Sequence, residues 1–402
     1  MTHDAATGST TILFGAFDRH NFGDLLFPHI AAALLHDKTP VFAGLAERDL
    51  RRYGGHRVHA LAQLATQWRG RPVNLIHVGG EILTCNAWQA AIMLLPEDQV
   101  QPTIARLDAH PQERLAWAQQ HLGISSLAPY CASRTLFAHM NRVIYTGVGG
   151  VDLGDCDCAL RAEVLAKLEA ADAVSVRDQL TQAQLKTAGI AAQLIPDPAV
   201  MVAELFGAQI RQRCQEPEIA RLLEQFPQGY LAVQFSAEFG DDATLAQIAR
   251  QLDQAARESG QGVVFFRAGA APWHDDLGCL RRVAARMSVR NLTVFESLDL
   301  WDICALIAHS RGYCGSSLHG RIVAMAFALP RVNFHTPSQK NHPSKQAAFA
   351  AAWEIPGAPA CVEVDEIASG IRHALDVDSG LRQHKAQELV SLYRQGFASC
   401  LN

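Results

Sequence analysis

Arg311-Gly312-Tyr313-Cys314-Gly315-Ser316-Ser317-Leu318-His319-Gly320-Arg321, continued through Ile322-Val323-Ala324-Met325 to Leu329 and then Pro330-Arg331-Val332-Asn333-Phe334, reads as strand, turn, helix, strand. Residues 312–314 and 331–334 are short apolar runs of strand length, and the apolar stretch between them is long enough for a helix. A strand that ends in small polar residues and opens a helix is the repeating unit of a parallel sheet with crossover helices. Ser316 or Ser317 supplies the helix cap. The first-turn N–H groups and the positive end of the helix dipole then form a seat for a phosphate or carboxylate.

The same unit recurs in both directions from this stretch. One series of strands is expected at residues 11–14, 73–78, 142–146, 173–176 and 192–195, and a second at 230–235, 262–267, 292–295, 312–314 and 331–334, with helices in the gaps. A chain of 402 residues exceeds what one core serves, about 250–300 residues, so two domains are expected. Residues 207–229 are polar, carry Pro217 and Pro227 and break the alternation, which places the linker there and the boundary near 215. This gives an N-terminal Rossmann-like domain over 1–215 and a C-terminal one over 216–380, two doubly wound parallel sheets facing a cleft. Residues 381–402 form a closing helix. Residues 87–130, with Trp88 and Trp117, are long for a connection and are expected to be a helical lid or acceptor-binding element.

Composition narrows the function. Hydrophobic residues at 49% and charged residues at 19% are those of a globular protein, and a net charge of -5 argues against nucleic-acid binding, which needs a basic surface. Residues 1–10 are polar, with His3 and Asp4, unlike an export signal, and no apolar run reaches the ~20 residues that span a bilayer; a cytoplasmic protein with no transmembrane segment is expected. Three basic residues in 381–401 are too few to anchor that helix to a membrane on their own, which leaves at most a peripheral contact. The ten cysteines show no C-x-x-C spacing, so no zinc or dithiol site is expected.

Any anion site must therefore be local. Between Asp302 and Glu354 there is no carboxylate, whereas Arg311, Arg321, Arg331, Lys340 and Lys345 and four histidines fall there, among them His319 in the first turn of the helix. Gly15-Ala16-Phe17-Asp18-Arg19-His20-Asn21-Phe22-Gly23-Asp24 follows the first strand, the usual ligand position in a doubly wound sheet, although no dinucleotide or P-loop fingerprint is present. Asn21 and Asp24 read equally as helix caps and as substrate contacts. Gly79-Gly80-Glu81 and Gly147-Val148-Gly149-Gly150 also end strands, and such glycines suggest close backbone approach to a ligand. Arg177, in Ser175-Val176-Arg177-Asp178, ends a strand where its guanidinium can grip a carboxylate in two-pronged fashion; the alternative is an ion pair with Asp178 or Asp197. Arg267 is a weaker candidate of the same kind.

Asn21-Phe22-Gly23-Asp24, Gly79-Gly80, Ser175-Val176-Arg177-Asp178, Asp197-Pro198-Ala199 and Ser317-Leu318-His319-Gly320, in this order, resemble the polysaccharide pyruvyltransferase family over about residues 12–350. The resemblance implies a GT-B-like pair of domains, phosphoenolpyruvate as donor and co-substrate, and a ketal-linked pyruvate placed across two hydroxyls of a lipid-linked saccharide. It sets Arg177 and His319 on positions associated with donor binding and catalysis. Many members show Arg where this chain has Ser317, so Arg321 or Arg267 is expected to supply that charge. A donor with a phosphate and a carboxylate needs two cationic grips, here Arg177 and residues 316–320, one from each domain. His319 is the acid/base candidate, and Asp24 or Glu81 orients the acceptor beside Asn21, Gly23, Gly79 and Gly80. No other cofactor and no metal are expected. Two other readings stay open: a GT-B-type sugar-nucleotide glycosyltransferase, against which the carboxylate-free stretch counts, and a non-catalytic member of a polysaccharide assembly complex.

Overall fold

The computed structural model describes residues 9–35, 39–335 and 344–402; Lys340 and His342 of the basic stretch, and His3 and Asp4, lie outside the described residues. Eight strands form the first sheet: β1 Thr10–Phe14, β2 Val41–Gly44, β3 Arg48–Asp49, β4 Arg57–Ala60, β5 Val73–His77, β6 Met140–Val148, β7 Ala173–Val176 and β8 Gln193–Leu194. Their order is β3-β4-β2-β1-β5-β6-β7-β8, parallel except where β3 meets β4. The second sheet holds β9 Tyr230–Gln234, β10 Gly262–Phe265, β11 Leu292–Val294, β12 Gly312–Gly315, β13 Arg331–His335 and β14 Cys361–Glu363, parallel in the order β11-β10-β9-β12-β13-β14.

Both orders reverse direction once, as doubly wound sheets do, and ligands bind at such switch points, outside the carboxyl ends of the strands. In the first sheet the switch lies between β1 and β5; in the second it lies between β9 and β12. The expected strands are all present. The four additional ones, β2, β3, β4 and β14, are two to four residues long, too short for hydrophobic period to declare them.

The proposed linker is instead helical, over Val202–Gln212 and Pro217–Gln225. Pro217 occupies the first helical turn, where its missing N–H costs nothing, so the residue read as a breaker is a helix starter. Ile210, Ile219, Leu222 and Phe226 of this segment are buried in a core that also takes in Leu25, Leu26 and Ile30 from the first half and Leu318, Ile322 and Val323 from the second. The helix Ser379–Leu401 returns to the first sheet: Tyr393, Phe397 and Cys400 are buried, Arg142 Nη2 donates to Cys400 O at 3.1 Å, and a Cβ on Gly396 would lie 2.3 Å from Ile195. Residues 87–130 form the helices Ala87–Met93, Glu97–Leu107 and Pro111–Leu122.

Candidate active site at the seam between the sheets

A cavity of about 1130 Å³ lies between the two sheets, lined by the loops after β1 and β5, by Arg177 after β7, by the ends of β9, β10 and β12, and by the helical insertion. Arg177 and His319 both line it. They meet at Asp197. Arg177 Nη1 donates to Asp197 Oδ2 at 2.8 Å, and His319 Nε2 stands 3.8 Å from the same oxygen, beyond hydrogen-bond length. Asp197 is fully buried; burial pushes its carboxyl upward, but the adjoining His319 and Arg177 outweigh that and hold it below the usual carboxylate range. His319 Nε2 is buried with no hydrogen-bond partner.

The ring of His319 is wedged against the first domain. A Cβ on Gly23 would lie 1.9 Å from His319 Nδ1, so glycine at this position is what lets the Phe22–Leu34 helix reach the imidazole. Phe27 stands edge-on to the ring at 5.2 Å. Two hydrogen bonds clamp the seam nearby: Phe22 N to Ala268 O at 2.8 Å, and Trp353 Nε1 to Arg177 O at 2.7 Å.

Ser317 is the helix cap, its Oγ accepting from Gly320 N at 3.2 Å, and Ser316 Oγ accepts from Ser236 N. Ser317 N is taken by Gln234 Oε1 at 2.8 Å. Among the described residues, the N–H groups of Leu318 and His319 have no acceptor and are the open donors of this turn.

Several expectations change. Arg177 is not an open grip: it is buried, and its second Nη donates to Glu81 Oε2 at 2.5 Å. Both carboxylates keep the guanidinium charged against the cost of burial. Glu81, expected to orient the acceptor, is committed to this pair and to Val151 N at 2.9 Å, although it still borders the cavity. Arg321 does not reach the cavity; it is fully buried behind the helix, bonded to Glu354, to Asn333 Oδ1 and to Ala360 O. Arg331 binds the same Glu354 at 2.5 Å, so two of the cations of the stretch are tied to the first carboxylate after it. Arg267 is half-buried and does not line the cavity. Asn21 caps its helix, accepting from Gly23 N at 3.1 Å, and also borders the cavity, as does Asp24, 3.7 Å from Arg19 Nη2.

The strand-end glycines approach protein rather than ligand. A Cβ on Gly79 would meet Pro198 at 3.1 Å and Phe27 at 3.3 Å, Gly80 packs near Asp24 and Phe27, one on Gly149 would meet Glu81 at 2.2 Å, and one on Gly320 would meet Tyr313 at 2.4 Å. Positive φ at Gly79 and Gly80, 103° and 89°, accounts for glycine there.

The cavity also holds residues not expected from sequence. Asp275 borders it, accepting from Gln234 Nε2 at 2.7 Å and Ala268 N at 2.6 Å, and burial pushes its carboxyl up to about 7. Arg19 donates to Tyr130 Oη at 2.8 Å with its Nε unpartnered, and Lys345 reaches the cavity from the start of the Lys345–Trp353 helix. The pair His274-Asp275 after a strand was the available signal for Asp275.

Two Rossmann-type sheets closing on a shared cavity define the class: the GT-B arrangement. Solved structures with this fold include Staphylococcus aureus MnaA with UDP (TM-score 0.54, 12% identity, 97% of this chain and 94% of that one). They also include the UDP-GlcNAc 2-epimerases of Methanocaldococcus jannaschii (0.52, 9%, 92% and 94%) and Neisseria meningitidis (0.52, 10%, 98% and 99%). These likenesses establish the fold. Residues 141–334, which carry Arg177, Asp197, Asp275 and the His319 turn, match the family model described as polysaccharide pyruvyl transferase, the family the motifs resemble. Comparison with the curated proteins gives no match.

Proposed function

We propose that the protein moves the pyruvyl group of phosphoenolpyruvate onto two hydroxyls of one sugar in a cell-surface polysaccharide precursor, forming a cyclic ketal and releasing phosphate. The observation that carries this reading is the convergence of Arg177 from the first sheet and His319 from the second on Asp197, within the matched residues and beside the cavity. Asp197 places its carboxylate beside the His319 ring. Arg177 positions Asp197 and Glu81 rather than gripping the donor. The donor's anionic groups are taken by the Leu318 and His319 N–H groups at the positive end of the helix, with Arg19 and Lys345 as further cations at the cavity.

In this mechanism the imidazolium of His319 gives its proton to the donor's methylene carbon, forming a methyl group and leaving C2 cation-like. One sugar hydroxyl adds to C2 and its proton returns to His319. The C2–O bond to phosphate breaks, the second hydroxyl adds to C2, and its proton leaves with the phosphate. No cofactor beyond phosphoenolpyruvate enters the scheme. The acceptor is taken to be lipid-linked and the reaction cytoplasmic; among the described residues no helix is long and apolar enough to cross a membrane.

Thermal shift with phosphoenolpyruvate, set against UDP-sugars, tests the donor: a ligand at 100 times its Kd stabilises by about 2.7 kcal/mol. Stabilisation by UDP-sugars alone overturns the reading in favour of a glycosyltransferase. Mass spectrometry of the surface polysaccharide with and without the gene tests the product through a pyruvyl increment.

A further inference from the structure

Ala271-Pro272-Trp273-His274 is a tight turn closed by His274 N donating to Ala271 O at 3.1 Å, with Trp273 at φ 63°. Proline at the second position and positive φ at the third is the type II pattern, and its third position belongs to glycine or asparagine because a Cβ is strained there. Here it carries the largest side chain available. Trp273 is one of only two non-glycine residues with positive φ among the described residues, and its side chain is left 48% exposed, lining the interdomain cavity. Folding therefore bears both strain and an unburied indole at one position, which points to use rather than packing.

The turn is held rigid. Ala270 N and Ala271 N each donate to His20 O at 3.2 Å across the seam, Ala237 N donates to His274 O at 2.9 Å, and His274 Nδ1 lies 3.0 Å from Pro272 O. The backbone that carries the indole is thus held in place, and a tryptophan has only two side-chain torsions to order on binding. Leu115, itself 36% exposed, and Trp88 line the same cavity from the helical insertion.

We infer that Trp273 is a stacking platform for a pyranose ring of the saccharide acceptor, the apolar C–H face of the sugar lying on the indole. This deepens the proposed reaction and rests on it for the word acceptor. Carboxylates outnumber Arg and Lys side chains among the residues lining the cavity by seven to four. They accept hydrogen bonds from the hydroxyls of a sugar stacked on the indole, while Lys345 and the start of the helix at Leu318 are left to the anionic donor.

Trp273→Gly separates this role from a structural one, because glycine relieves the strain while removing the ring. The variant is expected to melt no lower than the wild type and to lose at least tenfold in affinity for methyl β-D-galactopyranoside and methyl β-D-glucopyranoside, followed by ligand-observed NMR. Trp273→Tyr is expected to retain most of that affinity. Unchanged glycoside binding in Trp273→Gly, absence of glycoside binding to the wild type, or stacking of uridine monophosphate in preference to the glycosides each overturns the inference. Phosphoenolpyruvate titrated into the same samples is expected to bind wild type and Trp273→Gly alike. Its failure to bind either one sinks the donor assignment and leaves the glycoside result standing.

Discussion

Two buried arginine clusters flank the helix Leu318–Ala326 and do different work. At its start, Arg177 is held by Glu81 and Asp197, His319 faces the same Asp197, and the group borders a cavity. Behind it, Arg321 and Arg331 share Glu354 and donate further to Ala360 O, Pro359 O and Leu329 O, with only the Arg321 Nε left without a partner among the described residues. Both clusters put carboxylates against guanidinium out of water. Only the first leaves a titratable nitrogen without a partner at the edge of a space a ligand can enter. The difference teaches that cationic residues in a basic stretch of sequence mark a site only when their neutralising carboxylates leave part of the group open.

The largest expected effect falls on the sealed cluster. Glu354→Gln leaves two buried guanidinium groups without their counter-charge and is expected to cost about 3–5 kcal/mol, a drop in Tm of about 5 °C by calorimetry. Phosphoenolpyruvate affinity of the folded protein at low temperature should stay at the wild-type level. A matching loss of affinity would erase the distinction between the clusters.

Next comes the open cluster. His319→Gln is expected to lower turnover by about 10²–10⁴, measured as phosphate release with donor and acceptor, while Tm moves far less than for Glu354→Gln. Near-native turnover removes His319 from the proton transfer. Gly23→Ala sharpens the same point from the other side of the seam. Alanine should favour the helix by up to about 1 kcal/mol on propensity alone, yet its Cβ would collide with His319 Nδ1. Turnover is expected to fall at least tenfold without unfolding, and a turnover equal to wild type would show that the ring does not need its seat.

The sheets were legible because fully buried parallel strands read as apolar runs, as in Val263-Val264-Phe265-Phe266, and because Ser317 and Asp178 announce the helices they cap. His319, Asp24 and Asn21 were legible as cavity residues because they follow strands at a switch point. What stayed hidden depends on distance along the chain. Glu354 lies 33 residues beyond Arg321, and Glu81 lies 96 residues before Arg177, so neither ion pair leaves a local pattern. Gly79 and Gly149 signalled close approach correctly, but sequence does not say whether the approaching group is a ligand or Phe27 and Glu81. Trp273 broke a local rule, and a single sequence gives no φ with which to see it.

The smallest effect separates charge from geometry at the open end. Burial pushes the Asp275 carboxyl up to about 7, against the hydrogen bonds from Ala268 and Gln234. Its folded pKa is raised above the unfolded value, so the stability it contributes is fully present at acid pH, below the ordinary carboxylate range. That contribution is lost as the pH climbs towards about 7. Asp275→Asn should therefore flatten the fall of Tm between those limits. The same titration bears on the donor: above about 7 the wild-type cavity gains a negative charge that an anionic donor meets and the asparagine variant does not. A unit charge about 8 Å away at an effective dielectric near 40 is worth about 1 kcal/mol, roughly fivefold in affinity. Calorimetric titration with phosphoenolpyruvate across this range should show wild-type affinity falling below that of the variant by about that factor as pH rises. The donor's own ionisation is common to both proteins and cancels in the comparison, so parallel profiles would mean that Asp275 shapes the loop without facing the donor.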